Sequence, residues 1–304
     1  MNRERFTSGK VQIRNGETLN VVVHGTGPDV MFMIHGMWLD NRCLDTLFPY
    51  LSERFTLIAP DFRGHGQSSY VNPITNVKDF VEDLALLIDH FEVPKVYFLG
   101  WCGGSSVALK YASLYPERVE KVIIVSPPGL EGLPLWKKDA EKKTKTPIED
   151  KADLKNHPSL QMLTKGLKDQ NKEIMKQIII KANFNKRLPD DEILDSLAQQ
   201  LLGVNNIDDI AWSAYTCNLT DHKKWITEGS GAILKVQCEA LLFYSDDDTL
   251  IPRAAIDQYF DYFGSRVQLK LFEDGGHAVH LIYPKEVSDE VIKFCDKPKT
   301  VSTL

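Results

Sequence analysis

The chain has 304 residues, 43% apolar and 26% charged, with a formal net charge of −6. That length fits one α/β domain with an insertion better than two equal domains, and the acidic balance gives no reason to expect nucleic acid as a partner. No apolar run approaches the roughly 18 to 20 residues that span a bilayer.

The start, MNRERFTSGK, lacks the apolar stretch of a signal peptide, and five scattered cysteines make no disulfide framework, so a reducing, cytoplasmic location is the expectation. In chain order, residues 11–14 and 18–23 are β-rich runs joined through Asn15-Gly16, a hairpin signal. Residues 30–34 are continuously apolar and end at His35-Gly36; residues 55–59 end at Pro60-Asp61. Val77, Phe80, Val81, Leu84, Leu87, Ile88 and Phe91 recur at helical spacing. A buried strand at 96–99, a helix from about 105 to 115 and a strand at 122–125 follow. From about 135 to 234 the chain reads as charged helix without a convincing strand, with Pro189-Asp190-Asp191-Glu192 opening one helix. Strands at 240–244 and 267–272 resume the earlier pattern, and a helix at 284–295 closes it.

Short, continuously apolar strands alternating with helices predict an α/β fold. The expectation is an eight-stranded, mostly parallel sheet with helices on both faces and a helical cap inserted after strand 6. Residues 1–130 and 235–304 would form the core, and 131–234 the cap.

Four motifs carry chemistry. Gly100-Trp101-Cys102-Gly103-Gly104 has the G-x-S-x-G spacing of a nucleophile elbow, with cysteine where serine is expected. Glycines suit a sharp strand-to-helix turn, and the helix N-terminus favours a thiolate. His35-Gly36-Met37-Trp38 follows the strand at 30–34. In Tyr244-Ser245-Asp246-Asp247-Asp248-Thr249-Leu250-Ile251-Pro252, position alone leaves three adjacent acids open, and all three could instead cap the next helix. Gly275-Gly276-His277-Ala278-Val279-His280 uses glycines to deliver a histidine.

With these motifs in this order, the chain resembles the α/β-hydrolase superfamily, capped esterase type, over nearly its whole length. The resemblance implies Cys102 as nucleophile, Asp248 as the acid by the family's Asp-to-Pro spacing, and His277 rather than His280 as the base. It also implies an oxyanion hole from the backbone N–H groups of Met37 and Gly103. The stretch Asp61-Phe62-Arg63-Gly64-His65-Gly66-Gln67-Ser68 is typical of the family too, and reads as scaffold with Arg63 and His65 anchoring loops. Dienelactone hydrolases and polyhydroxyalkanoate synthases carry Cys at the elbow, though neither matches closely. Haloalkane dehalogenases and epoxide hydrolases use Asp there, and the latter have a Pro where Trp38 stands.

The implied activity is cleavage of an ester, thioester or lactone through an acyl-thioester on Cys102. Acyl transfer from the same intermediate is the alternative, and a non-catalytic ligand-binding protein the second. Trp38, Trp101, Leu135, Trp136, Trp212 and Tyr215 are candidate pocket lining. Residues 131–190 hold 14 basic against nine acidic residues. That excess either steers an anionic or thioester-linked acyl substrate or is a solvated lysine face. No Cys, His and carboxylate cluster has metal-ligand spacing and no GxGxxG follows the first strands, so no cofactor is implied.

Overall fold

The protein is described here by a computed structural model of residues 7–138 and 145–297. Strands β1 (Gly9–Gln12), β2 (Thr18–His24) and β3 (Asp29–Ile34) lead through the short helix α1 (Phe48–Leu51) to β4 (Phe55–Pro60). Helix α2 (Val77–His90), β5 (Val96–Trp101), α3 (Gly103–Leu114) and β6 (Val119–Val125) follow. Next come β7 (Trp136–Lys138), β8 (Lys145–Pro147), α4 (Pro158–Lys168), α5 (Lys172–Asn183), α6 (Asp191–Leu202) and α7 (Ile207–Tyr215). Finally, β9 (Glu239–Ser245), α8 (Arg253–Phe263), β10 (Val267–Phe272), α9 (Val279–Ile282) and α10 (Pro284–Asp296) complete the chain.

Eight strands form one sheet in the order β1-β2-β4-β3-β5-β6-β9-β10. The β1–β2 and β2–β4 pairs are antiparallel, and every pair from β4 to β10 is parallel. All six residues of β4 are buried, as are five of six in β3 and in β5. Strands with no solvent face need helices on both sides, which is why they read as unbroken apolar runs. Helix α2 begins with a capping box between Asn76 and Asp79 and buries Phe80, Val81, Leu84, Leu87 and Ile88. The predicted fold class therefore holds, and α4 to α7 lie between the sixth and seventh strands of the sheet.

Two expectations change. The first strand ends at Gln12 rather than 14, because Ile13 and Glu17 already close the turn: Ile13 N–H donates to Glu17 O at 2.9 Å, and Gly16 N–H to Ile13 O at 3.0 Å. The stretch read as free of strands contains the antiparallel ribbon β7–β8. It lies outside the main sheet, and its lysines carry no apolar alternation that would mark it as β.

Candidate active site

In an open parallel sheet, loops meet beyond the carboxyl ends of the strands. Here β3 delivers His35 to Leu39, β5 delivers Cys102, β9 delivers Asp248 and β10 delivers His277. Cys102 sits between β5 and α3 with φ 49° and ψ −119°, a conformation that strains any residue with a side chain. The turn is affordable in space because its neighbours are glycines. A first side-chain carbon at Gly104 would come within 2.4 Å of Ile34 O, so α3 could not pass so close to β3. At Gly103 the same atom would meet Met37 Cγ at 2.5 Å, which places the loop after β3 directly against the turn.

His277 Nδ1 lies 2.9 Å from Asp248 Oδ2, and both side chains are essentially inaccessible. Asp248 Oδ1 accepts from the N–H groups of Leu250 (2.8 Å) and Ile251 (3.0 Å), so the carboxylate is fixed at both oxygens. Burial by itself pushes the His277 imidazole down, but the charges of Asp248 and Cys102 outweigh it and raise the ring to about 10. Its other nitrogen, Nε2, has no partner at hydrogen-bond geometry. Cys102 lies near enough to the ring to contribute to its raised value. Asp246, at 53% side-chain exposure, faces Arg253 instead. No acid caps α8, whose N-cap is Pro252.

The other buried histidines lack a carboxylate partner. His280 donates towards Cys43 O at 3.2 Å and is pushed down to about 3 by burial. His65 is pushed to about 3 by burial and by His35, and its Nδ1 is 3.0 Å from Arg63 O. His35 accepts from Phe62 N–H at Nε2 (3.1 Å) and holds Gly36 O at Nδ1 (2.8 Å). Arg63 pairs with buried Asp83. These contacts fit the scaffold role read for the 61–68 stretch.

Several groups that support the site carry no obvious sequence signal. Asp247 Oδ1 accepts from Ser245 Oγ (2.6 Å) and from Gly276 N–H (2.8 Å), tying the acid loop to the histidine loop. His277 N–H donates to Asn183 O at 2.8 Å, so the C-terminal end of α5 rests on the histidine. The indole N–H of Trp101 donates to His277 O at 2.9 Å. Asp247 is visible only as a neighbour of Asp248, and a backbone carbonyl such as that of Asn183 leaves no trace in residue type.

A cavity of about 690 Å3 opens in front of Cys102 and His277, with Trp38, Trp101, Leu135, Leu160, Phe184 and Leu250 in its wall. Of the candidate lining residues, Trp38, Trp101 and Leu135 lie in that wall. Trp136, Trp212 and Tyr215 are not in that wall. Trp136 packs beside His157 with Lys145 over its ring. Tyr215 is fully buried, stacked on Trp225 and bonded through its hydroxyl to Ile148 O, and Trp212 packs on it. Five lysines of this region form ion pairs: Lys137 with Asp153, Lys151 with Asp209, Lys165 with Asp169, and Lys172 and Lys176 with Asp195. Exposed Lys181 lines the cavity. Among the described residues no cluster of His, Cys, Asp or Glu could hold a metal, and no helix is long and apolar enough to cross a membrane.

The family described as alpha/beta hydrolase fold matches residues 21–284. Over 122 residues the chain is 33% identical to a 2-(acetamidomethylene)succinate hydrolase of Mesorhizobium japonicum, covering 40% of this chain and 43% of that protein. A serine hydrolase-like protein of Homo sapiens is 33% identical over 105 residues, 34% of this chain and 51% of that one. The matched segments span about a third to a half of the curated relatives' own length. Among solved structures, an esterase of Exiguobacterium antarcticum superposes with a TM-score of 0.74 at 16% identity, covering 95% of this chain and all of that one (100%). A bromoperoxidase of Bacillus anthracis reaches 0.73 at 19% identity, with 95% and 100% coverage. These two likenesses are of fold, and the two names denote different chemistries.

Proposed function

Because the chain belongs to the α/β-hydrolase fold family, we propose that it is an ester-bond hydrolase acting on a small molecule, with Cys102 as nucleophile, His277 as base, Asp248 as the orienting acid and residues 131–234 as its cap. The observation that carries this reading is the buried His277–Asp248 pair at 2.9 Å, whose free Nε2 is under the influence of Cys102.

Asp248 holds one proton on Nδ1, and Nε2 holds the proton given up by the Cys102 thiol, the charged ring that this site favours. The thiolate attacks the carbonyl carbon, forming a C–S bond while the C=O electron pair moves to oxygen. The N–H groups of Met37 and Gly103 would receive that oxyanion, at roughly 2.7–4 kcal/mol per donor. The C–O bond to the leaving group then breaks as His277 returns its proton to that oxygen. Water, deprotonated by His277, releases the acid from the thioester and restores the thiol. Sulfur needs less activation than oxygen, because a free thiol ionises near pH 8.5.

Intact mass spectrometry after brief exposure to p-nitrophenyl acetate tests the reading. The expected result is a single added acetyl group, absent in Cys102→Ala and followed by release of acetate. No adduct with any of several activated esters would refute it.

A further inference from the structure

Cys102 stands at the junction of two cavities. The larger, about 690 Å3, has His277 in its wall. The smaller, about 40 Å3, has Phe62, Phe80, Val107, Ile210, Ala214 and Cys217 in its wall, and His277 is not among the residues described there. Gly36, Met37, Cys102 and Leu133 line both.

A tetrahedral carbon on Cys102 Sγ carries three further groups: the oxyanion, the leaving oxygen and the acyl substituent. The oxyanion takes the side of Met37 and Gly103. The leaving oxygen must come within about 2.6–3.2 Å of the group that protonates it, and here that group is His277. The leaving group therefore occupies the chamber that His277 lines. Met37 and Gly103 border the small chamber, so the oxyanion and the acyl substituent share that side, with the substituent turned to its apolar wall of Phe62, Phe80, Val107, Ile210 and Ala214.

Resting on the hydrolase reading above, we infer that the substrate is a short-acyl ester of a bulky apolar alcohol or phenol. A single water needs about 10–15 Å3 of such space, so 40 Å3 takes roughly three heavy atoms, an acetyl to butyryl group. The small chamber presents no cation to a carboxylate. His35 is engaged with backbone groups at both ring nitrogens, and His65 gives its Nδ1 proton to Arg63 O, which leaves its unpartnered Nε2 without a proton to offer a carboxylate. An acyl group with a charged end is thus disfavoured there. The large chamber, walled by groups such as Leu135, Leu160, Leu163, Ile179, Phe184 and Leu250, suits an aryl or medium-chain alkyl leaving group. The incoming water enters from the same side after that group departs.

The test uses 1-naphthyl esters of acetate, propionate, hexanoate and octanoate, followed both as naphthol release and as acyl adduct by intact mass, with ethyl acetate as the small-leaving-group control. The expected kcat/KM for acetate exceeds that for octanoate by tenfold or more, and naphthyl acetate exceeds ethyl acetate. Ile210→Ala, which widens the small chamber, is expected to raise the octanoate-to-acetate ratio at least fivefold. Should that variant fold poorly, Ala214→Val narrows the same space and is expected to lower the propionate-to-acetate ratio. Octanoate turned over as well as acetate, or ratios unmoved by both variants, would overturn the chamber assignment alone. No adduct from any ester would overturn the covalent reading and this inference with it.

Discussion

Asp248→Asn is the substitution that separates charge from shape at this site. Raising the His277 imidazole from 6.5 to about 10 corresponds to about 5 kcal/mol in favour of the charged ring, already net of the burial that opposes it. The same molecule shows what a buried ring does without a carboxylate, since His65 and His280 are pushed to about 3. In the Asn variant the amide oxygen can still accept from Leu250 and Ile251 N–H, and the NH2 then faces His277 Nδ1. That forces the ring proton onto Nε2, the nitrogen that should receive the Cys102 proton. Ester hydrolysis is expected to fall about 10^3- to 10^4-fold with little change in KM. Side-chain 15N NMR is expected to find His277 doubly protonated at pH 7 in the parent and neutral in the variant. Stability follows the same sign. A ring whose pKa is raised on folding contributes fully below 6.5, and the contribution is lost as pH rises towards about 10. Urea unfolding should therefore weaken from pH 7 to 10 in the parent, and less so in the variant. Because Cys102 also raises the ring, a charged His277 at pH 7 in the double variant Asp248→Asn, Cys102→Ala would refute the claim that Asp248 holds it.

Substitutions at two further positions test the loops around the pair. Trp101→Phe removes the indole N–H and leaves the buried His277 carbonyl without its donor, at about 1–3 kcal/mol in urea unfolding. The displaced base should lower kcat about 10- to 100-fold, and a loss under twofold would contradict the contact's role. Asp247→Ala orphans Gly276 N–H and removes one of the partners of Ser245 Oγ, and is expected to destabilise by about 1–3 kcal/mol while lowering kcat more than it alters KM. Asp247→Asn retains an acceptor and should recover most of both losses; equal damage from the two variants would count against the tie.

The parts of this molecule that were legible in its sequence are those set by neighbours along the chain. The strand at 267–272 coincides with β10, and the helix read from 77 to 91 ends one residue earlier, because burial patterns of period two or 3.6 are written locally. The elbow was legible for the same reason, since close passage of α3 over β3 requires small residues at fixed offsets from Cys102. The aromatic lining was legible only in part. A large ring announces how much area it will bury, and does not say against what. Trp38 and Trp101 are tied to the cavity by adjacency to the two turns that build it. Tyr215 and Trp136 have no such tether, and their partners, Trp225, Ile148 and His157, are set by how the helices between β6 and β9 settle on one another. The same limit applies to the groups that aim the histidine. Asn183 acts through its carbonyl and Gly276 through its N–H, atoms that nearly every residue owns. Their selection is a consequence of tertiary packing. These unspecific atoms set where the His277 ring sits, so residue types can be read from the chain while their alignment is a property of the whole fold.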